Sequence, residues 1–138
     1  MWVDRPRFEA AMAAGAFLET NEFLGHLYGT PVPAPPAGRD LVLEIDVNGA
    51  EQIRARHPDA LVVMVVPPSE DEQLARLAGR GDDTGAARTR LELGREEVAR
   101  GRALADHAVV NDDLDRAVGE VAGIIAARRT GATGTAGS

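Results

Sequence analysis

A buried strand that runs directly into a helix start is the feature that most constrains this chain. Residues 61–66 form an unbroken apolar run rich in β-branched side chains, and Pro67 and Pro68 end it. Such a run is typical of a strand covered on both faces, the kind found in parallel sheets. Ser69 and Glu72 match a capping box, which satisfies orphan N–H groups of a first helical turn. The stretch therefore predicts a core strand followed at once by a helix.

Arginines on that helix are the first candidates for chemistry. Arg76 and Arg80 are four residues apart, which places both on one face near the C-terminal end of the predicted helix. Guanidinium groups just beyond a buried parallel strand indicate an anion site, most simply a phosphate site. The alternative is an ordinary solvated helix face.

Two further strands and a helix complete a predicted α/β arrangement. Residues 41–46 are a second candidate core strand, and a helix is predicted over residues 49–57, where Pro58 ends it. Because the connections to residues 61–66 are short, a right-handed crossover and a parallel sheet are expected. Residues 108–110 predict a third short strand.

The N-terminal part predicts one helix and a small pair of strands. Asp4 is placed to cap a helix that Gly15 stops. Residues 16–20 and 23–28 then predict two brief strands, joined by a turn at residues 21–22.

The rest of the chain predicts a connector, two helices and a tail. Four prolines within residues 31–38 exclude a helix interior, so an extended connector is expected. Residues 86–104 predict an arginine-rich helix with a thin apolar stripe. The last helix is predicted to bury one face, made of Leu114, Val118, Val121, Ile124 and Ile125. We expect one domain over residues 1–129 and a disordered tail over residues 130–138.

The composition excludes several classes of function. A formal net charge of -7 argues against nonspecific binding to nucleic acid or to an anionic membrane. The chain has no cysteine, and its three histidines are too scattered to suggest a metal site. It also has neither an apolar stretch of membrane-spanning length nor a secretion-type leader. We therefore expect a cytoplasmic protein.

Six short segments carry a family resemblance. They are FEAAMAAGAFLE at residues 8–19, YGTP at 28–31, LEIDVNG at 43–49, PPS at 67–69, LARLAGRG at 74–81 and VVNDDLD at 109–115. In this order, and at nearly the family's spacing, they resemble guanylate kinases, which transfer the γ-phosphoryl group of ATP to GMP. The resemblance extends from about Trp2 to Arg128. It implies part of a P-loop-kinase-like parallel sheet flanked by helices. It also implies a GMP-binding β subdomain at about residues 1–38, with the core and an arginine-rich lid helix at about residues 39–129.

The resemblance implies an acceptor site for GMP. Glu19 matches the carboxylate that accepts from the N1–H and the exocyclic amine of guanine, Thr30 the hydroxyl that faces the base, and Tyr28 the phenol that holds the phosphate. Asp46 matches the carboxylate beside that site. Taken one at a time, these residues have plainer interpretations as a surface Glu, a turn Thr, a core Tyr and a helix-capping Asp.

The resemblance also implies a donor site for ATP. Arg76, Arg80 and Arg90 match donor-side and lid arginines, which stabilise the charge on the transferred phosphoryl group. Asn111 matches the residue that lies against adenine, and its alternative role is to cap the last helix. Mg²⁺ is implied as a companion of ATP, without a protein ligand in this chain.

The chain departs from the family at its start. The family's first section supplies a strand, a glycine-rich phosphate loop with its lysine, and a helix, whereas every basic residue here is arginine. In the family fold that strand lies between the strands matched by residues 41–46 and 61–66, so both would face an empty position. We expect the 138-residue chain to be a truncated guanylate kinase with weak or no activity. The alternatives are a catalytically inactive interaction module and a fragment without function.

Overall fold

The computed structural model describes residues 2–69, 71–72 and 84–133. Its helices are α1 (Arg5–Ala13), α2 (Val47–Arg56), α3 (Thr84–Leu104) and α4 (Leu114–Thr133). Its strands are β1 (Phe17–Phe23), β2 (His26–Pro31), β3 (Val63–Val66) and β4 (His107–Val110). The chain divides into two compact units, residues 1–60 and 61–138, whereas the predicted division after residue 38 stays a prediction. Within the described ranges, no helix is long and apolar enough to cross a membrane.

Helix α1 begins where the sequence predicts. The Asp4 side chain accepts a hydrogen bond from the backbone N–H of Arg7 at 2.9 Å, so it caps the first turn. Phe8 is buried, and its ring stacks on Phe17 of β1 with 4.6 Å between the centroids. Gly15 follows the helix with a φ of 72°, a left-handed conformation that glycine adopts without strain. The first unit therefore packs α1 against its hairpin through aromatic rings.

Strands β1 and β2 pair antiparallel, but the predicted turn between them is wrong. The turn lies at Leu24 and Gly25, with φ values of 51° and 80°, instead of at residues 21–22. A two-residue hairpin turn of this kind needs a positive φ at both positions, and Gly25 supplies one of them freely. Asn21 instead lies within the ladder, opposite Tyr28.

Helix α2 begins two residues earlier than predicted, because Asp46 caps it. The Asp46 Oδ1 atom accepts from the backbone N–H of Gly49 at 2.8 Å. The strand predicted over residues 41–46 is wrong, since the segment belongs to neither ladder of the described residues. An apolar run becomes a strand only where a second backbone pairs with it, and here Val42 is 76% exposed.

The second unit contains the parallel pair. Strand β3 pairs with β4 in parallel, with Val63 opposite His107 and Val66 opposite Val110. Val109 is fully buried and Val66 nearly so, which confirms a strand that packs into the core, but Val65 is 57% exposed, so the predicted burial on both faces is wrong. The predicted helix start also holds, because the Glu72 N–H donates to the Ser69 hydroxyl at 3.1 Å. The rest of that helix lies outside the described residues.

Helix α4 buries the predicted face only in part, since Val121, Ile124 and Ile125 are half-buried as expected. Leu114 and Val118 are 70% and 59% exposed, whereas Ala117 is buried and Val121 is half-buried. The small Ala117 side chain lies on the face that packs against the sheet, so the buried stripe is turned away from Leu114. The helix also includes residues 130–133, where the sequence predicted a tail, and residues 134–138 lie outside the described part.

Candidate functional site

The first unit contains an open cavity of about 310 Å³. On one side it is lined by the hairpin, and on the other by the segment that leads into α2. Its lining residues are Glu19, Asn21, Tyr28, Gly29, Thr30, Glu44, Ile45 and Asp46. All four residues predicted for the acceptor site therefore line one cavity, although they come from three separate segments of the sequence.

Glu19 is the most confined charged side chain of this cavity, with 6% of its surface exposed. Its Oε1 atom accepts two hydrogen bonds from Thr30, from the backbone N–H at 3.0 Å and from the hydroxyl at 2.6 Å. These donors offset the cost of burying a carboxylate. The Oε2 atom accepts no hydrogen bond from the residues that the structure describes. One oxygen is thus held by protein and the other is available to a ligand.

A β-bulge contributes to the placement of Glu19. Phe17 lies opposite Pro31 and Glu19 opposite Thr30, so the intervening Leu18 is an extra residue on β1. Bulges bend a strand locally and change the direction in which a side chain points. The bulge places the Glu19 carboxylate beside Thr30 in the buried part of the hairpin.

Asp46 links the helix start to the hairpin. Besides capping α2 through Oδ1, it accepts a hydrogen bond at Oδ2 from the side-chain amide of Asn21. The Asn21 side chain also accepts from the backbone N–H of Glu22 at 2.9 Å. The helix-capping interpretation of Asp46 is therefore correct as a statement of its local role, and the same carboxylate lines the cavity.

Side chains of α2 brace the free edge of β1. The Gln52 amide accepts from the Thr20 N–H at 3.1 Å and donates to the Thr20 carbonyl at 2.7 Å, as a neighbouring strand would. One turn later, the Arg56 guanidinium donates to the carbonyls of Phe17 and Leu18 at 3.2 and 2.9 Å. These residues flank Glu19 along the strand. Sequence reasoning missed both, and their spacing of four on one helix face was the available signal.

Gly49 is a further residue that the sequence did not single out. A Cβ atom at this position would lie 2.9 Å from Oε2 of Glu19 and 3.3 Å from Oδ1 of Asp46. Real Cβ atoms essentially never approach other atoms within 3.0 Å. Because Gly49 has no side chain, the carboxylates of Glu19 and Asp46 have room beside the start of α2.

Tyr28 stands at the cavity with its ring partly open to solvent. It is 44% exposed, so the interpretation as a core tyrosine is wrong. Its hydroxyl makes no hydrogen bond within the described ranges, so this group is free to bind a ligand.

Most residues predicted for the ATP-binding side lie where the structure does not describe their side chains. Arg76 and Arg80 lie outside the described residues, and Arg90 lies in α3 with a side chain that is not described. Asn111 directly follows β4, and its backbone N–H donates to the Val66 carbonyl at 2.8 Å. Its side chain belongs to the second unit and is exposed.

The described residues do not fit a protein-held metal ion. No three acidic or histidine side chains of residues 2–69, 71–72 and 84–133 come together as a ligand set. Both oxygens of Asp46 already accept hydrogen bonds from protein donors. No residue of this part of the chain is therefore assigned to Mg²⁺.

Comparisons with known proteins identify relatives of the whole chain. A family model described as guanylate kinase matches residues 1–128. A guanylate kinase of Thermus thermophilus is 43% identical over 98% of this chain and 64% of its own length. That of Neisseria gonorrhoeae is 41% identical over 93% of this chain and 64% of its own length.

A solved structure gives the same result at the level of the fold. The guanylate kinase of Anaplasma phagocytophilum superposes with a TM-score of 0.67 and 26% identity, over 91% of this chain and 63% of that one. The chain thus spans slightly less than two thirds of the length of these relatives. The matches confirm the resemblance and the α/β fold class predicted from the six segments.

Proposed function

Because the chain belongs to the guanylate kinase family, we propose that its first unit is the GMP-accepting part of such an enzyme. The observation that carries the proposal is the buried carboxylate of Glu19. Thr30 holds one oxygen of that carboxylate, the other accepts no hydrogen bond from the described residues, and Glu19 lines a cavity of about 310 Å³. A buried acceptor without a partner among the described residues is suited to a ligand that brings hydrogen-bond donors.

Guanine brings the donors that this acceptor needs. Its N1–H and exocyclic amine point in the same direction, whereas adenine presents an acceptor at N1. A buried charged acceptor left unpaired costs about 1–3 kcal/mol or more, so the site rejects the wrong base through that penalty. Glu19 is therefore proposed to select guanine, and Thr30 to hold its carboxylate in place beside the base.

The remaining acceptor roles follow from position in the same cavity. The free hydroxyl of Tyr28 is proposed to donate to the phosphate of GMP, at the solvent-exposed side of the cavity. Asp46 is proposed to stand beside the acceptor, where its hydrogen bonds from Asn21 and Gly49 hold it rigidly. Preorganised polar groups of this kind are the main contribution of a protein to phosphoryl transfer.

The proposed reaction is transfer of the γ-phosphoryl group of ATP to GMP, giving ADP and GDP. An oxygen of the GMP phosphate forms a bond to the γ-phosphorus as the bond to the β–γ bridging oxygen breaks, so ADP leaves. Arg76, Arg80 and Arg90 are proposed to stabilise the charge on the transferred group, and Asn111 to lie beside adenine. Mg²⁺ would arrive with ATP and neutralise phosphate charge.

The 138 residues contain no glycine-rich phosphate loop with a lysine, and we therefore propose that this chain by itself has weak or no kinase activity. Nucleotide binding is the more direct test. GMP should raise the melting temperature of the chain whereas AMP should not, because a ligand that binds only the folded state stabilises it.

Two variants define the binding test. Glu19→Gln should abolish the difference between GMP and AMP, because an amide presents an N–H donor where guanine needs an acceptor. Glu9→Gln, on the exposed face of α1, removes the same charge from the same unit and should keep the difference. If wild type shows no shift with any nucleotide, the acceptor proposal is wrong and the inactive interaction module is favoured.

A further inference from the structure

Gly49 lies in the first turn of α2, next to both carboxylates of the cavity. Its backbone N–H donates to Asp46 at 2.8 Å, and a Cβ atom would come within 2.9 Å of Oε2 of Glu19. It is itself buried. Since Oε2 is the oxygen that Thr30 does not hold, the absent side chain borders the Glu19 oxygen that accepts no hydrogen bond from the described residues.

The backbone gives no reason for a glycine at this position. Gly15, Gly25 and Gly38 have positive φ values, whereas Gly49 has the ordinary conformation of a helix. Within a helix, glycine is about 1 kcal/mol less favourable than alanine. The lower helix propensity of glycine is therefore tolerated at this position, because a side chain would occupy the space that the Glu19 carboxylate needs.

We propose that Gly49 is a specificity-determining residue of the guanine site, an inference that rests on the proposed function. The two bonds from Thr30 fix Oε1, so the carboxylate has little freedom to turn away from a methyl group at position 49. A side chain there displaces Oε2 from the position at which it accepts from the base. Guanine then loses a hydrogen bond to a charged acceptor, whereas adenine makes none to lose.

The test compares Gly49→Ala with Gly119→Ala, both within helices. At Gly119 a Cβ atom meets nothing within 4 Å, so this variant controls for the change in helix propensity. The affinities of GMP, IMP and AMP are measured by isothermal titration calorimetry, since IMP lacks the exocyclic amine. Gly49→Ala should weaken GMP by about ten- to a hundredfold and IMP by less, because IMP keeps the N1–H but lacks the exocyclic amine, whereas AMP should keep its affinity. Gly119→Ala should resemble wild type.

A second readout needs no nucleotide. The ¹³C chemical shift of the Glu19 carboxyl group should move in Gly49→Ala and stay unchanged in Gly119→Ala. An unchanged preference for GMP in Gly49→Ala, or an equal loss for all three nucleotides, overturns the inference and leaves the proposed function standing. A wild-type chain that shows no preference for GMP overturns the proposed function, and this inference with it.

A third comparison covers the case in which Gly49→Ala does not fold. Glu19→Ala removes the carboxylate that the new methyl group would meet. In that background, adding Gly49→Ala should lower the melting temperature less than it does in the wild type, because the contacts with Ile45 and Asp46 at 3.2 and 3.3 Å remain while the one with Glu19 is gone. An equal fall in the two backgrounds would show that Ile45 and Asp46, and not Glu19, exclude the side chain, and the inference would be overturned.

Discussion

Thr30 donates two hydrogen bonds to a single oxygen of Glu19, from its backbone N–H at 3.0 Å and from its hydroxyl at 2.6 Å. The two residues lie opposite each other in the hairpin ladder. This pairing divides the carboxylate into a held oxygen and a free one. The side chain that is proposed to recognise guanine therefore also contributes to the stability of the hairpin.

Replacing Thr30 with valine removes the hydroxyl donor while keeping the shape and the backbone N–H. We expect the free energy of unfolding to fall by about 1–3 kcal/mol, because a buried carboxylate loses one of its partners. Urea denaturation measures the change. Thr30→Ser keeps the hydroxyl and should lose much less stability, and equal losses in the two variants would contradict the role of the hydrogen bond.

Replacing Gln52 with alanine leaves the N–H and carbonyl of Thr20 without their partners. We expect a loss of about 1–2 kcal/mol and faster hydrogen exchange at the Thr20 amide, since the edge of β1 becomes open to water. Gln52→Glu keeps an acceptor for the Thr20 N–H and should protect that amide better. Unchanged exchange in Gln52→Ala would show that α2 does not brace this strand.

Replacing Asp46 distinguishes its capping role from its role at the cavity. Asp46→Ala should destabilise the chain by about 0.5–2 kcal/mol, because α2 loses its N-cap. Asp46→Asn keeps a good capping residue and should retain most of that stability. If the carboxylate also serves the acceptor site, Asp46→Asn should still weaken GMP, which calorimetry would detect as a loss of affinity without a loss of folding.

The start of α4 contains a group whose titration can be followed directly. The Arg116 side chain hydrogen-bonds to Asp112 and holds the pKa of that carboxyl below its ordinary value. The lowered pKa means that the pair stabilises the fold above the ordinary pKa of Asp. That contribution is lost as the pH falls through the lowered value in the folded state. Since both groups are exposed, the effect on overall stability should be small.

An NMR titration of the Asp112 carboxyl carbon tests this assignment. Arg116→Gln should return the pKa of Asp112 towards its ordinary value. Glu120→Gln removes the other carboxylate that Arg116 contacts, so it should leave the pKa of Asp112 low. An Asp112 pKa that does not respond to Arg116→Gln would exclude the pair as its cause.

The activity of the 138-residue chain is the simplest prediction to check. A coupled assay with ATP, GMP and Mg²⁺ should detect little or no turnover, because no lysine and no glycine-rich loop of the phosphate-binding type occur in these residues. Turnover at the rate of an ordinary kinase, about 1–100 per second, would contradict the proposal. A mock preparation without the chain is the control, since contaminating host kinase would give the same signal.

Features set by neighbours along the chain could be predicted from the sequence. Asp4 and Ser69 each cap a helix start as expected, and the apolar run before Pro67 contains a strand of the parallel pair. The four residues predicted for the acceptor site line one cavity, and their role in binding stays a prediction drawn from a family pattern. In each case the evidence was local chemistry or a short motif.

Features that depend on a distant partner could not be predicted in this way. Residues 41–46 have the composition of a strand, yet a strand forms only where another backbone pairs with it. Leu114 and Val118 have helical spacing with their neighbours, yet the stripe that packs is the one that contains Ala117. The hairpin turn lies at Leu24 and Gly25 and not at the predicted residues 21–22, because the pairing of Asn21 with Tyr28 extends both strands.

The sequence by itself determined which side chains the site contains, because residue types and their order are written in it. Only the tertiary structure decided what each atom of those side chains does. Thr30 occupies one oxygen of Glu19, and Gly49 leaves room for the other. The physical reason is that the orientation of a carboxylate depends on the hydrogen-bond donors that contact it and on the space available beside it. The fold brings both from residues distant in sequence.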